Sequence, residues 1–214
     1  MKKIILILTT LFWAVAALAQ TPEEIVSRME ATMQTPEQYK ENGLSMTMEM
    51  KMPIIGTVAS RVYTKGDRMR LEVVKDGKTG VITWRDGKTD WTYDAEKNTI
   101  EIKNDVSASA TGSKQQEGDM AMFEGVTKGY DVSIRKETSS AWYLRCKKSR
   151  TNTDKDDPRT MDLVVAKGTY KPISLSAKVS IVSVTIRDIA YGVSDDMVTF
   201  DAAQYPTATF VDKR

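Results

Sequence analysis

Residues Leu44–Met52 read LSMTMEMKM, so apolar and polar side chains alternate along the whole stretch. A period of two predicts a β-strand with one apolar face and one polar face. The apolar face carries Met46, Met48, Met50 and Met52. Met is flexible and polarizable, and it is frequent on surfaces that adapt to varied apolar partners. We therefore expect these four side chains either to bind acyl chains or to pack beneath a helix.

A helical segment precedes this strand. Thr21–Glu24, TPEE, combines a capping Thr, a Pro at the first helical position and a Glu that completes a capping box. Apolar residues then follow at helical spacing as far as residue 33, which predicts a helix packed on a sheet. The pair Thr35-Pro36 predicts that this helix ends or restarts, and Gly43 closes the region.

The rest of the chain is dominated by short alternating segments that Gly, Asp, Asn and Pro separate. Asp86-Gly87-Lys88 has the composition of a hairpin turn. We expect strands at 57–64, 68–74, 81–85, 89–94, 99–103, 130–136, 141–147, 160–167, 172–179 and 180–190. The pattern predicts an α+β fold that is mostly antiparallel β, with one strongly curved sheet or unclosed barrel whose concave side is covered by helices.

One segment interrupts the strands. Residues 104–118 are rich in Ser, Ala, Thr, Gly and Gln and predict a loop. Residues 119–126 can form a short helix that presents Met120 and Phe123. This helix is either an ordinary loop helix or a mobile lid.

The first residues have the pattern of a secretory signal. Lys2 and Lys3 precede an apolar stretch, and Ala17-Leu18-Ala19 is a small-residue cleavage site. We expect residues 1–19 to be a signal peptide and residues 20–214 to be a single domain. Cys146 is far from the cleavage site, so we expect a soluble periplasmic protein without a lipid anchor.

Composition excludes several function classes. The chain has 31 Lys and Arg, 29 Asp and Glu, one Cys and no His. Catalytic machinery and zinc sites that need His are therefore excluded. Removal of Lys2 and Lys3 balances the basic residues with the acidic ones, so no nucleic-acid partner is expected.

Asp154, Asp156 and Asp157 lie close together in the sequence and suggest a calcium site. A calcium loop of the EF-hand type needs Gly at its sixth position and Glu at its twelfth, where this chain has Arg159 and Val165. We therefore expect a solvated turn there, with no metal and no cofactor.

Two motifs resemble the LolA family of periplasmic outer-membrane lipoprotein carriers. Val81–Asp94, VITWRDGKTDWTYD, resembles the hairpin in which that family has Asp-Gly-Lys followed by Trp and Tyr. Phe200–Pro206 and Val211–Arg214 are similar to its closing segment. The resemblance implies an unclosed barrel with helices as a lid, around an apolar cavity that shields acyl chains of lipoproteins or lipids. It also implies an inner-membrane donor and an outer-membrane acceptor protein as partners.

The resemblance and the alternation together give a set of candidate site residues. Trp91 and Tyr93 share one alternating face of their strand. Lys65-Gly66 stands where well-known members have an Arg-Pro pair, and Arg70 stands where relatives often have an Arg, so these two side chains are the expected polar contacts to lid or ligand. The expected cavity-facing residues are Met46, Met48, Met50, Met52, Trp91, Tyr93 and Phe123.

Three functions are compatible with these features. The first is a monomeric, non-enzymatic carrier that delivers lipoproteins or lipids to the outer membrane. The second is a regulatory module on the same fold that senses lipid or lipoprotein and signals through a protein partner. The third is an enzyme acting on envelope lipid or glycan, which the absence of His and of a nucleophile motif argues against.

Overall fold

A computed structural model describes residues 20–54, 56–75, 77–104 and 125–214 of the 214-residue chain. The predicted signal peptide, Met120 and Phe123 lie outside the described residues. The helices are α1 (Pro22–Ala31), α2 (Pro36–Asn42) and α3 (Asp195–Val198), with a 3-10 turn at Ala202–Gln204. The strands are β1 (Leu44–Met52), β2 (Gly56–Lys65), β3 (Arg68–Lys75), β4 (Lys78–Arg85), β5 (Thr89–Asp94), β6 (Thr99–Asn104), β7 (Tyr130–Glu137), β8 (Ala141–Lys148), β9 (Thr160–Ala166), β10 (Pro172–Val179), β11 (Val182–Tyr191) and β12 (Thr209–Asp212).

Both N-terminal helices begin at capping boxes. The Thr21 hydroxyl accepts a hydrogen bond from the Glu24 amide, while the Glu24 carboxylate accepts one from the Thr21 amide. Thr35 and Gln38 repeat this exchange at the start of α2, so the chain restarts a helix after α1. Gly43 ends α2 at a φ of +74°, where a Cβ would lie 2.5 Å from the Thr64 carbonyl oxygen. The predicted helix starts at Pro22 and Pro36 and the end at Gly43 are confirmed, whereas α1 ends at Ala31 and does not include Met33.

The described strands form one twelve-stranded sheet in the order β12-β6-β5-β4-β3-β2-β1-β11-β10-β9-β8-β7. Every pairing is antiparallel except that of β12 with β6. The sheet has two edges, at β12 and β7, so it is unclosed, as expected. The parallel β12 is not predicted by the sequence, because its four residues are all exposed and show no alternation of burial.

The main core lies on one face of the sheet, between α1 and the strands β8 to β11 and β1. From α1, Ile25 and Met29 are fully buried. They belong to one apolar cluster with Leu144, Leu163 and Val165 of the sheet. This face also carries the row of methionines of β1, and we call it the Met face.

The buried side of the sheet changes between its two halves. Cross-strand partners point to the same side of a sheet. Met46 of β1 pairs with Val62, which pairs with Leu71, then Thr83 and Thr92, so the Met face becomes polar toward β5. The opposite face of β4 to β6 is apolar instead. It is covered by the C-terminal segment, residues 195–208, and not by the N-terminal helices.

Within the described residues, α1 and α2 pack on one half of the Met face, while the C-terminal segment packs on the opposite face of the other half. Along each strand, alternation gives the apolar side, but it does not show which side of the sheet that is.

Cys146 provides a probe of the main core. Its side chain is fully buried, and burial raises the pKa of the thiol to about 11. Because the folded pKa is above the ordinary value, the contribution to stability is complete below about pH 9 and is lost as pH rises toward 11. We expect wild type to lose about 2–3 kcal/mol of unfolding free energy over that range through this thiol.

Urea unfolding at several alkaline pH values tests this expectation. Cys146→Ala is the control, because it removes the titrating thiol while keeping an apolar side chain. The stability difference between wild type and variant should shrink above pH 9. An unchanged difference would show that the thiol does not ionise on unfolding in this range.

Candidate functional site

The methionine row divides into two parts. Met46 is buried in the core cluster, and Met48 packs against that cluster. Met50 and Met52 are only partly buried and lie outside the cluster. The two interpretations of the row therefore apply to different ends of one strand, since Met46 and Met48 pack beneath α1 whereas Met50 and Met52 extend beyond it.

An apolar surface continues from Met50 across the neighbouring strands. Its members all point to the Met face by their cross-strand pairing, are partly exposed, and lie outside the core cluster. We call this surface the apolar strip, and it consists of Met50, Val58, Leu71, Val73, Val81 and Val184. It borders the buried core directly, because Met50 and Val184 are cross-strand partners next to Met48 and Ile186.

Trp91 and Tyr93 lie on the opposite face. Trp91 pairs with Trp84, and both alternate with the Met-face residues Thr83 and Thr92. Trp91 stacks on Phe200 with ring centroids 5.3 Å apart, and Tyr93 contacts Tyr205 at 4.6 Å. These aromatics therefore hold the C-terminal segment to the sheet, and they do not share a surface with the methionines. Their expected role in binding a ligand stays a prediction.

Lys65 and Arg70 are also on the opposite face, where Lys65 pairs with the C-terminal segment and Arg70 lies over the Trp84 ring. The Lys65 ammonium lies 3.4 Å from the carboxylate of Asp195 in α3. The Arg70 guanidinium lies 2.6 Å from the Glu72 carboxylate and 5.3 Å from the centre of the Trp84 ring. The structure thus places these two cations beside an anchoring segment of the C-terminus, away from the apolar strip.

Glu72 is a buried carboxylate and makes Arg70 important for stability. Its side chain is 9% exposed, and its second cation, Arg61, is more distant at 3.5 Å. Removing the partner of a buried charge costs about 3–5 kcal/mol, because the remaining charge is poorly compensated. We expect Arg70→Met to lower the unfolding free energy by about 3 kcal/mol.

The matched control is Arg187→Met, because Arg187 lies 2.6 Å from Glu49 but is 43% exposed. Exposed pairs contribute at most about 1 kcal/mol. Chemical denaturation of both variants measures the difference. Equal losses in the two variants would contradict the importance of the Arg70–Glu72 pair.

Two pockets on the described surface have polar linings. One, of about 560 Å³, lies among Lys40, Lys65, Arg68, Lys88 and Asp195. The other, of about 360 Å³, lies beside α1. Neither of these two pockets includes a residue of the apolar strip. The apolar strip is therefore a surface of the sheet that neither of these pockets includes. Phe123, the remaining predicted cavity residue, lies outside the described residues.

Sequence reasoning did not identify most of the strip. Val58, Val73 and Val184 each belong to an alternating strand, which is a signal that the sequence contains. Their common surface with Met50 depends on strand order, because β1 pairs with β2 on one side and with distant β11 on the other.

Among the described residues, no helix combines the length and the hydrophobicity needed to cross a bilayer. The same part of the chain contains no group of three or more Cys, Asp or Glu placed to hold a metal ion.

No family model matches the chain. No curated protein matches it either. Among solved structures, a LolA superfamily protein from Nitrosomonas europaea is 13% identical, with 86% of this chain and 99% of that chain covered and a TM-score of 0.32. The lipoprotein LppX of Mycobacterium tuberculosis is 9% identical, with 79% and 96% covered and a TM-score of 0.44.

LprF of Mycobacterium bovis is 9% identical, with 82% of this chain and 96% of that chain covered and a TM-score of 0.51. At this identity the likeness shows a shared fold alone. Within the described residues, the single unclosed antiparallel sheet and the few helices show the same architecture. The chain therefore shares the fold of LprF, and the predicted fold class, one unclosed and mostly antiparallel sheet with few helices, is confirmed.

Proposed function

We propose that the protein binds the acyl chains of lipids or lipoproteins on the apolar strip and carries them through the periplasm to the outer membrane. The observation that supports this proposal most strongly is the strip itself. Six apolar side chains on adjacent strands are partly exposed at the border of the main core. Large exposed apolar patches are uncommon on monomeric proteins and mark sites of interaction.

The chemistry of the strip suits a carrier. An acyl chain that leaves water gains about 0.8 kcal/mol for each methylene group. The strip consists only of Met, Val and Leu, so it offers contact without fixed hydrogen-bonding geometry. Met50 can adapt its shape to chains of different length. A carrier needs this combination, because it must accept varied chains and release them to an acceptor.

The wider properties of the carrier follow from the sequence. Residues 1–19 direct export and are removed, and residues 20–214 act as a soluble monomeric domain. An inner-membrane protein donates the cargo and an outer-membrane protein accepts it. The protein performs no reaction on its cargo, which is in keeping with a chain that has no His.

Native mass spectrometry of the protein released gently from cells tests the proposal. We expect a bound species that dissociates on denaturation and is identified by organic extraction as a diacyl lipid or a lipoprotein. The emptied protein should then take up a fluorescent fatty acid. A protein that is recovered empty and also fails to bind the probe would contradict the proposal.

A further inference from the structure

Two hairpin turns at one end of the sheet expose large apolar side chains. Ile54, in the turn between β1 and β2, is 96% exposed, and Ile181, in the turn between β10 and β11, is 66% exposed. Val179 beside the second turn is 45% exposed. Turns at this kind of position usually contain Gly, Asn, Asp or Ser. The isoleucines have no packing role among the described residues that explains their presence.

The two turns are neighbours in space. Lys51 near the end of β1 pairs with Thr57 of β2 on one side and with Ser183 of β11 on the other. The chain therefore reverses at Ile54 and at Ile181 on either side of the end of β1. Val179 pairs with Val182 across a two-residue turn, in which Ser180 has a φ of +56° and Ile181 occupies the tip. We call Ile54, Val179 and Ile181 the apolar tips.

Positive charge surrounds the apolar tips. Lys51 and Lys178 are exposed and lie next to the two turns, where each pairs with Ser183 across the sheet. Lys75 and Lys78 flank the following hairpin at the same end of the sheet and are also exposed. Within the part of the chain that the structure describes, none of these four lysines forms an ion pair.

We propose that this end of the sheet docks on a membrane that contains anionic lipids. The isoleucines enter the region between headgroups and acyl chains, and the lysines contact lipid phosphates. Apolar side chains between basic residues are the combination that binds such interfaces. Isolated apolar tips on short turns are too small and too convex for a stable protein interface, which requires roughly 800 Å² on each partner.

The docking surface leads directly to the apolar strip. Met52 of β1 and Val182 of β11 lie next to the two turns on the Met face, and Met50 and Val184 are the next residues of these strands on that face. An acyl chain can therefore pass from the bilayer to the strip along a continuous apolar surface. Transfer of an acyl chain along this surface rests on the proposed carrier function, whereas membrane docking is measured independently of that function.

Vesicle co-sedimentation tests the docking surface, with the protein spanning residues 20–214, which contain every described element. The vesicles contain either phosphatidylglycerol with phosphatidylethanolamine or phosphatidylcholine alone. We expect at least tenfold tighter binding to the anionic vesicles, and we expect it to weaken as NaCl rises from about 50 to about 500 mM.

Two double variants separate the contributions. Ile54→Asp with Ile181→Asp should weaken binding at least about tenfold, because both anchors become charged. Lys51→Glu with Lys178→Glu should weaken binding to anionic vesicles by at least about tenfold and leave binding to phosphatidylcholine unchanged. Ile173→Asp is the matched control, since Ile173 is 44% exposed but lies near the start of β10, away from the tips, and it should bind like wild type.

Uptake of the fluorescent fatty acid is measured on every variant. Retained uptake with lost vesicle binding supports the docking surface. Retained uptake with vesicle binding equal to wild type in both double variants would overturn it. Failure of wild type to take up the probe counts against the carrier function alone. Wild type that ignores anionic vesicles but binds polyglutamate through the same lysines would replace the membrane with an acidic protein partner.

Discussion

Replacement of both Met50 and Val73 by Asp is expected to weaken binding of a fluorescent fatty acid at least about a hundredfold. The two residues flank β2 in the apolar strip and are partly exposed. A carboxylate at either position would lose water when an acyl chain covers it, and desolvation of an unpaired charge costs several kcal/mol. Neither residue belongs to the core cluster, so the fold should be retained. Probe titration, together with circular dichroism, measures both effects.

The control for this variant adds the same charge on the other face. Ser174→Asp with Thr185→Asp introduces two carboxylates on β10 and β11, at positions opposite to the strip. This control should bind the probe like wild type. Equal binding by the Met50 and Val73 variant would show that acyl chains bind elsewhere. Met46 is unsuitable for such a test, because it is 6% exposed in the core and its replacement by Asp should unfold the protein.

Trp84→Ala is expected to lower the unfolding free energy by about 3–5 kcal/mol. Trp84 is 2% exposed and lies 5.4 Å from the Phe200 ring centroid and 5.7 Å from that of Tyr205. It therefore joins the sheet to the C-terminal segment and also stacks with Arg70. Removing it leaves a cavity in the centre of the aromatic cluster. Urea denaturation measures the loss.

Tyr143→Ala is the control for the aromatic cluster. Tyr143 is 38% exposed on the opposite half of the sheet and should lose about 1 kcal/mol or less on truncation. Similar losses in the two variants would contradict a second core around Trp84. Acyl-probe binding by Trp84→Ala, measured where the variant is folded, should stay near that of wild type, because Trp84 and the apolar strip lie on opposite faces.

The local elements follow from the sequence because they depend on neighbouring residues. Thr21 and Glu24 satisfy each other's backbone amide groups wherever the helix packs. The alternation of Leu44–Met52 gives a half-buried strand, and Asp86-Gly87 gives a tight turn. The antiparallel order of β2 to β6 follows from the short connections between them, which leave no room for crossovers.

The sequence by itself determined the capped helices, almost all strands and the class of fold. Tertiary structure alone decided that the methionine row belongs partly to the core and that Trp91 and Tyr93 lie on the other face. It also decided that β1 joins the distant β11 and that the C-terminal segment forms a second core. The physical reason is that alternation has the same form for either face of a sheet. Only the pairing of strands and the elements that pack on them select which face is buried.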